Sequence, residues 1–201
     1  MRGGAIGVAL VLWPLVADAQ ICAGRAPFNA HRIQAGGSAA MWSGGGELGA
    51  AAGGGTDRVF GLASVARGST DGARYRAILA TAGTDQPLTL NNRLHACPML
   101  SVGYRWGEAD RPDPSPSGAA VAAALHVGYL AVNRRRAAVA PTVFLALSRE
   151  PALTGTGRAL AAGAGVGVLR LARVSLRGEV GAQWTRHARG ARVAFSMMYG
   201  F

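Results

Sequence analysis

The feature that most narrows what this chain can fold into is an alternation with a period of two. It is sustained over stretches of roughly 10 to 14 residues, the length of a tilted strand that crosses a bilayer. In "VSLRGEVGAQWT", Val174, Leu176, Gly178, Val180, Ala182 and Trp184 alternate with Ser175, Arg177, Glu179, Gly181, Gln183 and Thr185. Successive side chains of a strand point to opposite faces, so one face here is greasy and the other polar. "RLHACPMLSVGYRW" sets Leu94, Ala96, Pro98, Leu100, Val102, Tyr104 and Trp106 against His95, Cys97, Met99, Ser101, Gly103 and Arg105. Between 119 and 132, Val121, Ala123, Leu125, Val127 and Tyr129 oppose His126 and Gly128. Between 158 and 169, Leu160, Ala162, Ala164, Val166 and Val168 oppose Ala161, Gly163, Gly165 and Gly167. In "ARVAFSMMYGF", Val193, Phe195, Met197, Tyr199 and Phe201 share one face.

Period alone does not name the environment, because a soluble antiparallel sandwich alternates too. Two details favour lipid. Aromatics sit near strand ends (Tyr104, Trp106, Trp184, Tyr199, Phe201), as interfacial girdles do. The opposing faces carry glycine, alanine and polar groups in place of a bulky core, in a chain with 30 glycines and 6% aromatics. A helical membrane protein is disfavoured: the longest apolar stretch past the N-terminus, Ser117 to Val132, carries His126 and runs into Arg134, Arg135 and Arg136. Strand edges are not tolerated in lipid, so such strands have to close on themselves. The expected class is an all-β, antiparallel, up-and-down transmembrane β-barrel. A soluble secreted β-sandwich that binds a ligand or partner is the alternative.

Ten strands are expected, over 29–41, 45–54, 58–68, 74–83, 93–106, 118–132, 137–149, 158–170, 174–186 and 191–201, with 20–28 as a lead and 29–201 as the barrel. The early ones carry the least hydrophobic signal. "GELGAAAGGG" reads equally as a bent continuation of its neighbour, which leaves eight strands as the alternative. Connections alternate in character. "GSTDGAR", "GEADRPDPSPSG" and "EPALTGTG" are polar and rich in turn residues, the pattern of long external loops, whereas "GGTD", "NRRR" and "LARV" are tight, the pattern of periplasmic turns. "TDQPLTLNN" breaks that rule, being long for a turn.

The N-terminus, "MRGGAIGVALVLWPLVADAQ", has one cation at Arg2, an apolar run from Ala5 to Val16 and then Ala17-Asp18-Ala19. It reads as a signal peptide over 1–19, too short to be an anchor. Export brings the only two cysteines, Cys22 and Cys97, into an oxidising compartment, where one disulfide is the simplest expectation. In the ten-strand topology both fall at the periplasmic end. All 21 cationic residues are arginine and the formal charge is +11. They are scattered, without a basic aromatic module or finger spacing, so nucleic acid is not expected as a partner.

The exported, alternating chain with a terminal "YGF" resembles the outer-membrane β-barrel proteins of Gram-negative bacteria. That resemblance implies a place in the outer membrane. It also implies recognition of the last strand, through Val193, Phe195, Met197, Tyr199 and Phe201, by the barrel assembly machinery. The partners it implies are outer-membrane lipid and lipopolysaccharide, for a barrel expected to be monomeric.

Chemistry is sparse. Asp71, Asp110, Asp113 and His187 could reach the outer rim, where some barrel proteases place paired acids, but their spacing does not match and solvated loop residues are the preferred reading. His126 falls on the inward face, without the serine that a lipid-hydrolysing relay requires. His31, His95 and His187 make no metal cluster. No cofactor, metal or catalytic residue is expected. Arg105, Arg170, Arg177, Glu179 and Arg192 are expected to face the lumen as a structural charge network, in preference to an anion path. Arg67, Arg74, Arg149, Arg158, Arg186 and Arg189 are placed near the outer rim, where phosphates of lipopolysaccharide or plain solvent would meet them.

Overall fold

The computed structural model describes residues 33–201 except 57, 71–72, 109–116, 134–136, 153–154, 172 and 186–188. Twelve strands follow in order: β1 (Ile33–Trp42), β2 (Gly45–Gly55), β3 (Val59–Thr70), β4 (Ala73–Thr84), β5 (Gln86–Pro87), β6 (Leu94–Glu108), β7 (Gly118–Tyr129), β8 (Val132–Asn133), β9 (Ala138–Ala152), β10 (Gly155–Leu171), β11 (Val174–Thr185) and β12 (Arg189–Gly200). All but β5 and β8 are long, and each long strand pairs antiparallel with the next. β12 returns to β1, with Gln34 opposite Gly200 and Trp42 opposite Arg192. The ring is therefore closed, with ten long strands, and it is neither an eight-stranded barrel nor a two-sheet sandwich.

β2 shows why the weak early segment still forms a strand. It buries almost nothing, but its backbone is paired along its length to β1 and to β3. In a closed ring the ladder itself satisfies every peptide group, so side-chain payload matters less than it would at an edge. Following partners from Cys97 through β7, β9, β10, β11, β12, β1, β2, β3 and β4 leads back to β6 about twelve residues further on, a stagger that tilts the strands by roughly 40°.

The faces are inverted relative to a water-soluble protein. Val65, Val143, Leu147, Val180 and Phe195 point outward and are 55, 55, 57, 62 and 51% exposed. Both ends of the described chain meet at one mouth, where the Phe201 amide donates to the Ile33 carbonyl at 3.0 Å; we call this the terminal end and the other the far end. The long connection "TDQPLTLNN" lies at the terminal end and is ordered. β5 folds back on β6, with Gln86 opposite Ala96, and the Leu88 amide donates to the Leu94 carbonyl at 2.8 Å. Asn92, at φ 50°, turns the flap, and its amide donates to the Thr89 carbonyl at 3.0 Å. The length that departs from a simple turn is the length of a small hairpin.

The inward face changes character along the axis. Near the terminal end Phe60, Leu62, Cys97 and Met198 form one buried cluster with Met99 against it, and Leu130, Ala138, Ala140 and Leu169 form another. β6 and β12 are five strands apart whichever way one counts round the ring, so the cluster joining Cys97 to Met198 crosses the bore. The expectation of a uniformly small inner face is corrected here: a narrow barrel has to fill its interior, and the bulky residues sit on β3, β6 and β12 near one mouth. Toward the far end much of the inner face is small, with Ala122, Ala146, Ala161, Gly181 and Ala194 all half-buried, although Tyr75, Arg105 and Arg192 also point inward there. Three inward rings each lie over the glycine opposite them: Phe60 over Gly83, Tyr75 over Gly68, Phe144 over Gly163. A methyl added at these glycines would come within 2.5 Å of Phe60, 2.7 Å of Tyr75 and 2.8 Å of Phe144. Glycine lets the wall curve and the ring covers the gap it leaves.

Candidate functional site

The densest polar group in the bore is built on β7, β9, β11 and β12. Alternation puts Arg177 and Glu179 two residues apart on the inner face of β11, and the guanidinium donates to the carboxylate. The same Arg177 Nη2 lies 2.8 Å from His126 Nδ1 on β7. A guanidinium has no acceptor, so His126 receives this bond through an unprotonated Nδ1 and carries its proton on Nε2. The His126 ring stacks on Phe144, centroids 5.5 Å apart at 22°. From β12, Arg192 reaches the other Glu179 oxygen at 3.7 Å, and its guanidinium carbon lies 5.9 Å from the Phe144 ring. Glycine at 165 gives Glu179 its room: a methyl there would stand 3.0 Å from the Glu179 Cγ and 3.2 Å from the Thr142 hydroxyl. Thr142 Oγ1 is itself buried without a hydrogen-bond partner among the described residues.

One carboxylate thus neutralises part of two positive charges in a confined space, an arrangement that is costly to break from either side. It is a brace that reaches from β11 and β12 to β7, past the two strands between. None of its groups combines a nucleophile with a base.

Arg105 also faces the bore but belongs to the other wall. Its guanidinium carbon sits 3.6 Å from the centroid of Tyr75, whose hydroxyl donates to Glu47 Oε2 at 2.7 Å. A third group lies at the terminal end, where His95 Nδ1 is 2.6 Å from Asp85 Oδ1 and His95 Nε2 is 2.8 Å from the Asn92 carbonyl, with Asp85 and His95 each 1% exposed. Both ring nitrogens face acceptors, which an imidazolium ring carrying two protons satisfies. This pair fixes the flap to β6. The sequence does not signal it, because ten positions separate the two residues and only the folded-back β5 brings them together. Glu47 and Tyr75 are concealed in the same way, by a register across three strands.

Among the residues named from sequence, Arg177, Glu179 and Arg192 come together, while Arg105 stands apart from them. The Arg170 side chain lies outside the described residues, as do Cys22, His31, Asp71, Asp110, Asp113, Arg134, Arg135, Arg136, Arg186 and His187. Cys97 is fully buried on the inner face of β6. Val193, Phe195, Met197, Tyr199 and Phe201 form an outward stripe, 52, 51, 49, 40 and 66% exposed. Tyr199 and Phe201 meet edge to face with centroids 5.1 Å apart. Among the described residues no three metal-ligating side chains gather.

No family model and no curated protein sequence matches the chain. Solved structures do match it. The β domain of the Bordetella autotransporter BrkA superposes with a TM-score of 0.58 and 18% identity, over 85% of this chain and 84% of that one. The chain resembles bacterial outer-membrane barrels. A bacterial polysaccharide outer-membrane secretin superposes with a TM-score of 0.52 and 13% identity, over 78% of this chain, which spans 57% of the secretin's length. At such identities the likeness is one of fold, and the site residues have to speak for themselves.

Proposed function

We propose that this chain is an integral outer-membrane barrel with a structural or surface-interaction role, without catalytic activity and without a through-going pore. The observation that carries this reading is the belt of exposed aliphatic side chains around a fully closed ring, which only lipid covers favourably. In this reading the terminal end faces the periplasm and the far-end loops face outward. Residues 1–19 act as the export signal, and Val193, Phe195, Met197, Tyr199 and Phe201 serve the assembly machinery. A Cys22–Cys97 disulfide would tie the lead to the inner wall beside the buried cluster. The partners are outer-membrane lipid and lipopolysaccharide, and the barrel is a monomer. A narrow solute role is limited to the far half, since Phe60, Leu62, Met99 and Met198 occupy the bore below it.

Folding into detergent micelles with heat-modifiable migration on gels tests the membrane assignment, and a monomer soluble without detergent would overturn it. Planar-bilayer recordings test the closed bore: no unitary conductance is expected, and steady ohmic steps would contradict it.

A further inference from the structure

The inner face of the β1–β12 seam has an order that the brace does not explain. From the far end downward, the register sets Trp42 opposite Arg192, Ala40 opposite Ala194, Ser38 opposite Ser196 and Gly36 opposite Met198. Met198 belongs to the buried cluster that blocks the bore, so these rungs end on a greasy floor. Above it come two hydroxyls, then two methyl groups, then an indole beside a guanidinium. Ser38 is exposed although it faces inward, and Ala40, Trp42, Ala194 and Ser196 are only half-buried, so solvent reaches the space in front of this wall. Glycine at 49, opposite Ser38 on the β2 side, keeps that hydroxyl clear: a methyl there would stand 3.0 Å from its oxygen.

The charge on this wall is not balanced. Arg177 and Arg192 share Glu179, and His126 accepts through an unprotonated Nδ1, so the group as a whole keeps one positive charge. On the opposite wall Arg105 and Glu47 offset each other on either side of Tyr75. The surplus falls at Arg192. Arg177 donates directly to Glu179, whereas Arg192 stands 3.7 Å from it, with its side chain 27% exposed. A guanidinium carries five N–H donors, and one long contact leaves donors for a solute.

The geometry points to a binding site for a small sugar acid, a monocarboxylate with several hydroxyls, seated along the β1–β12 seam. Its carboxylate lies on Arg192, one face of its ring lies against Trp42, and its hydroxyls meet Ser38 and Ser196. This rests on the reading of a bore blocked at its terminal end, and it names the solute class of the far half. One surplus charge matches one carboxylate, which a guanidinium fork binds through two parallel bonds. A phosphomonoester, at about −1.5 to −2, exceeds it. The serine rung lies four residues below the arginine, about 13 Å along the strands, so an ion as small as acetate engages only one end of the site. The Ala40–Ala194 rung between them leaves room for the ring.

The test titrates the full chain, folded in an uncharged detergent, with D-glucuronate, D-glucose and acetate, followed by calorimetry and tryptophan emission. Saturable binding of one glucuronate is expected, with glucose and acetate each weaker by about tenfold or more. Arg192→Gln should weaken glucuronate by about tenfold or more, and so should Ala194→Leu, which fills the wall and keeps every charge. Trp42→Phe should remove the emission change while calorimetry still detects the ligand. Equal affinity for glucose or acetate, unchanged binding by Ala194→Leu, or an emission change that survives in Trp42→Phe would each overturn the inference. So would the lack of saturable glucuronate binding by the wild-type barrel, a measurement that needs no variant to fold. Bilayer recordings separate the two levels: ohmic steps sink the blocked-bore reading, whereas a folded, non-conducting barrel that binds no glucuronate sinks only the site.

Discussion

The arginines inside this barrel and those outside it are kept by opposite means. Inside, Arg177 and Arg192 share Glu179, and Arg105 lies on an aromatic ring, so each charge meets a partner supplied by the chain. Outside, Arg149 faces Arg158, and among the described residues no carboxylate pairs with either. An internal charge has to be compensated within the fold, because a narrow packed bore offers little water. A charge on the outer rim can leave its compensation to the surroundings. The same residue type is therefore braced by the chain on one face and set against its own kind on the other.

The largest effect is expected at Glu179. Replacing it by alanine leaves Arg177 and Arg192 without their shared carboxylate, at a cost of about 3–5 kcal/mol. Urea unfolding in detergent reads this loss, and the Arg177→Ala/Glu179→Ala double variant should lose less than the sum of the two single changes. Next comes Gly163→Val, whose new side chain would run into the Val180 carbonyl and the Phe144 ring. Overpacking of about 1–3 kcal/mol is expected, with the displaced ring disturbing both His126 and Arg192. Asp85→Asn should cost a similar amount or somewhat less, about 1–3 kcal/mol, by leaving a buried donor of His95 weakly met. That effect should be local: hydrogen exchange should rise between Leu88 and Arg93 while the ladders of β9 to β12 stay protected. The smallest effect is expected on the outer wall. Arg149→Gln in detergent should change stability by no more than about 0.5 kcal/mol, because it removes a like-charge neighbour and no internal partner. A large loss there would mean that the outer arginines are braces as well.

Much of the wall was legible because a period of two admits only two phases. On β6, β7, β10, β11 and β12 the greasy residues read from sequence are those that face outward, down to Val127 and Trp184. What was not legible depends on register between strands. The direct opposition of Arg67 and Arg76 needs the β3–β4 ladder, and nothing in the local sequence marks Arg76 out. The filled terminal end escaped for a related reason: Phe60 and Leu62 lie in one of the weakly patterned early strands, and their contact with Met198 crosses the bore. The flap of β5 looked like a turn of the wrong length because Asp85 and His95 are recognisable as a pair only after the chain folds back.

The seam between β1 and β12 governs how the barrel can close. Every other ladder of the ring joins long strands that follow one another in sequence, whereas this one joins Gln34 to Gly200, nearly the whole described chain apart. Until the last strand arrives, the growing sheet has two raw edges, each an invitation to pair with another chain. Closure is thus a late event of high loop entropy, slow on its own and hazardous while it waits. A chain cut short before β12 would lose more than one strand in ten: it would be an open sheet, and its expected fate is association with its own copies.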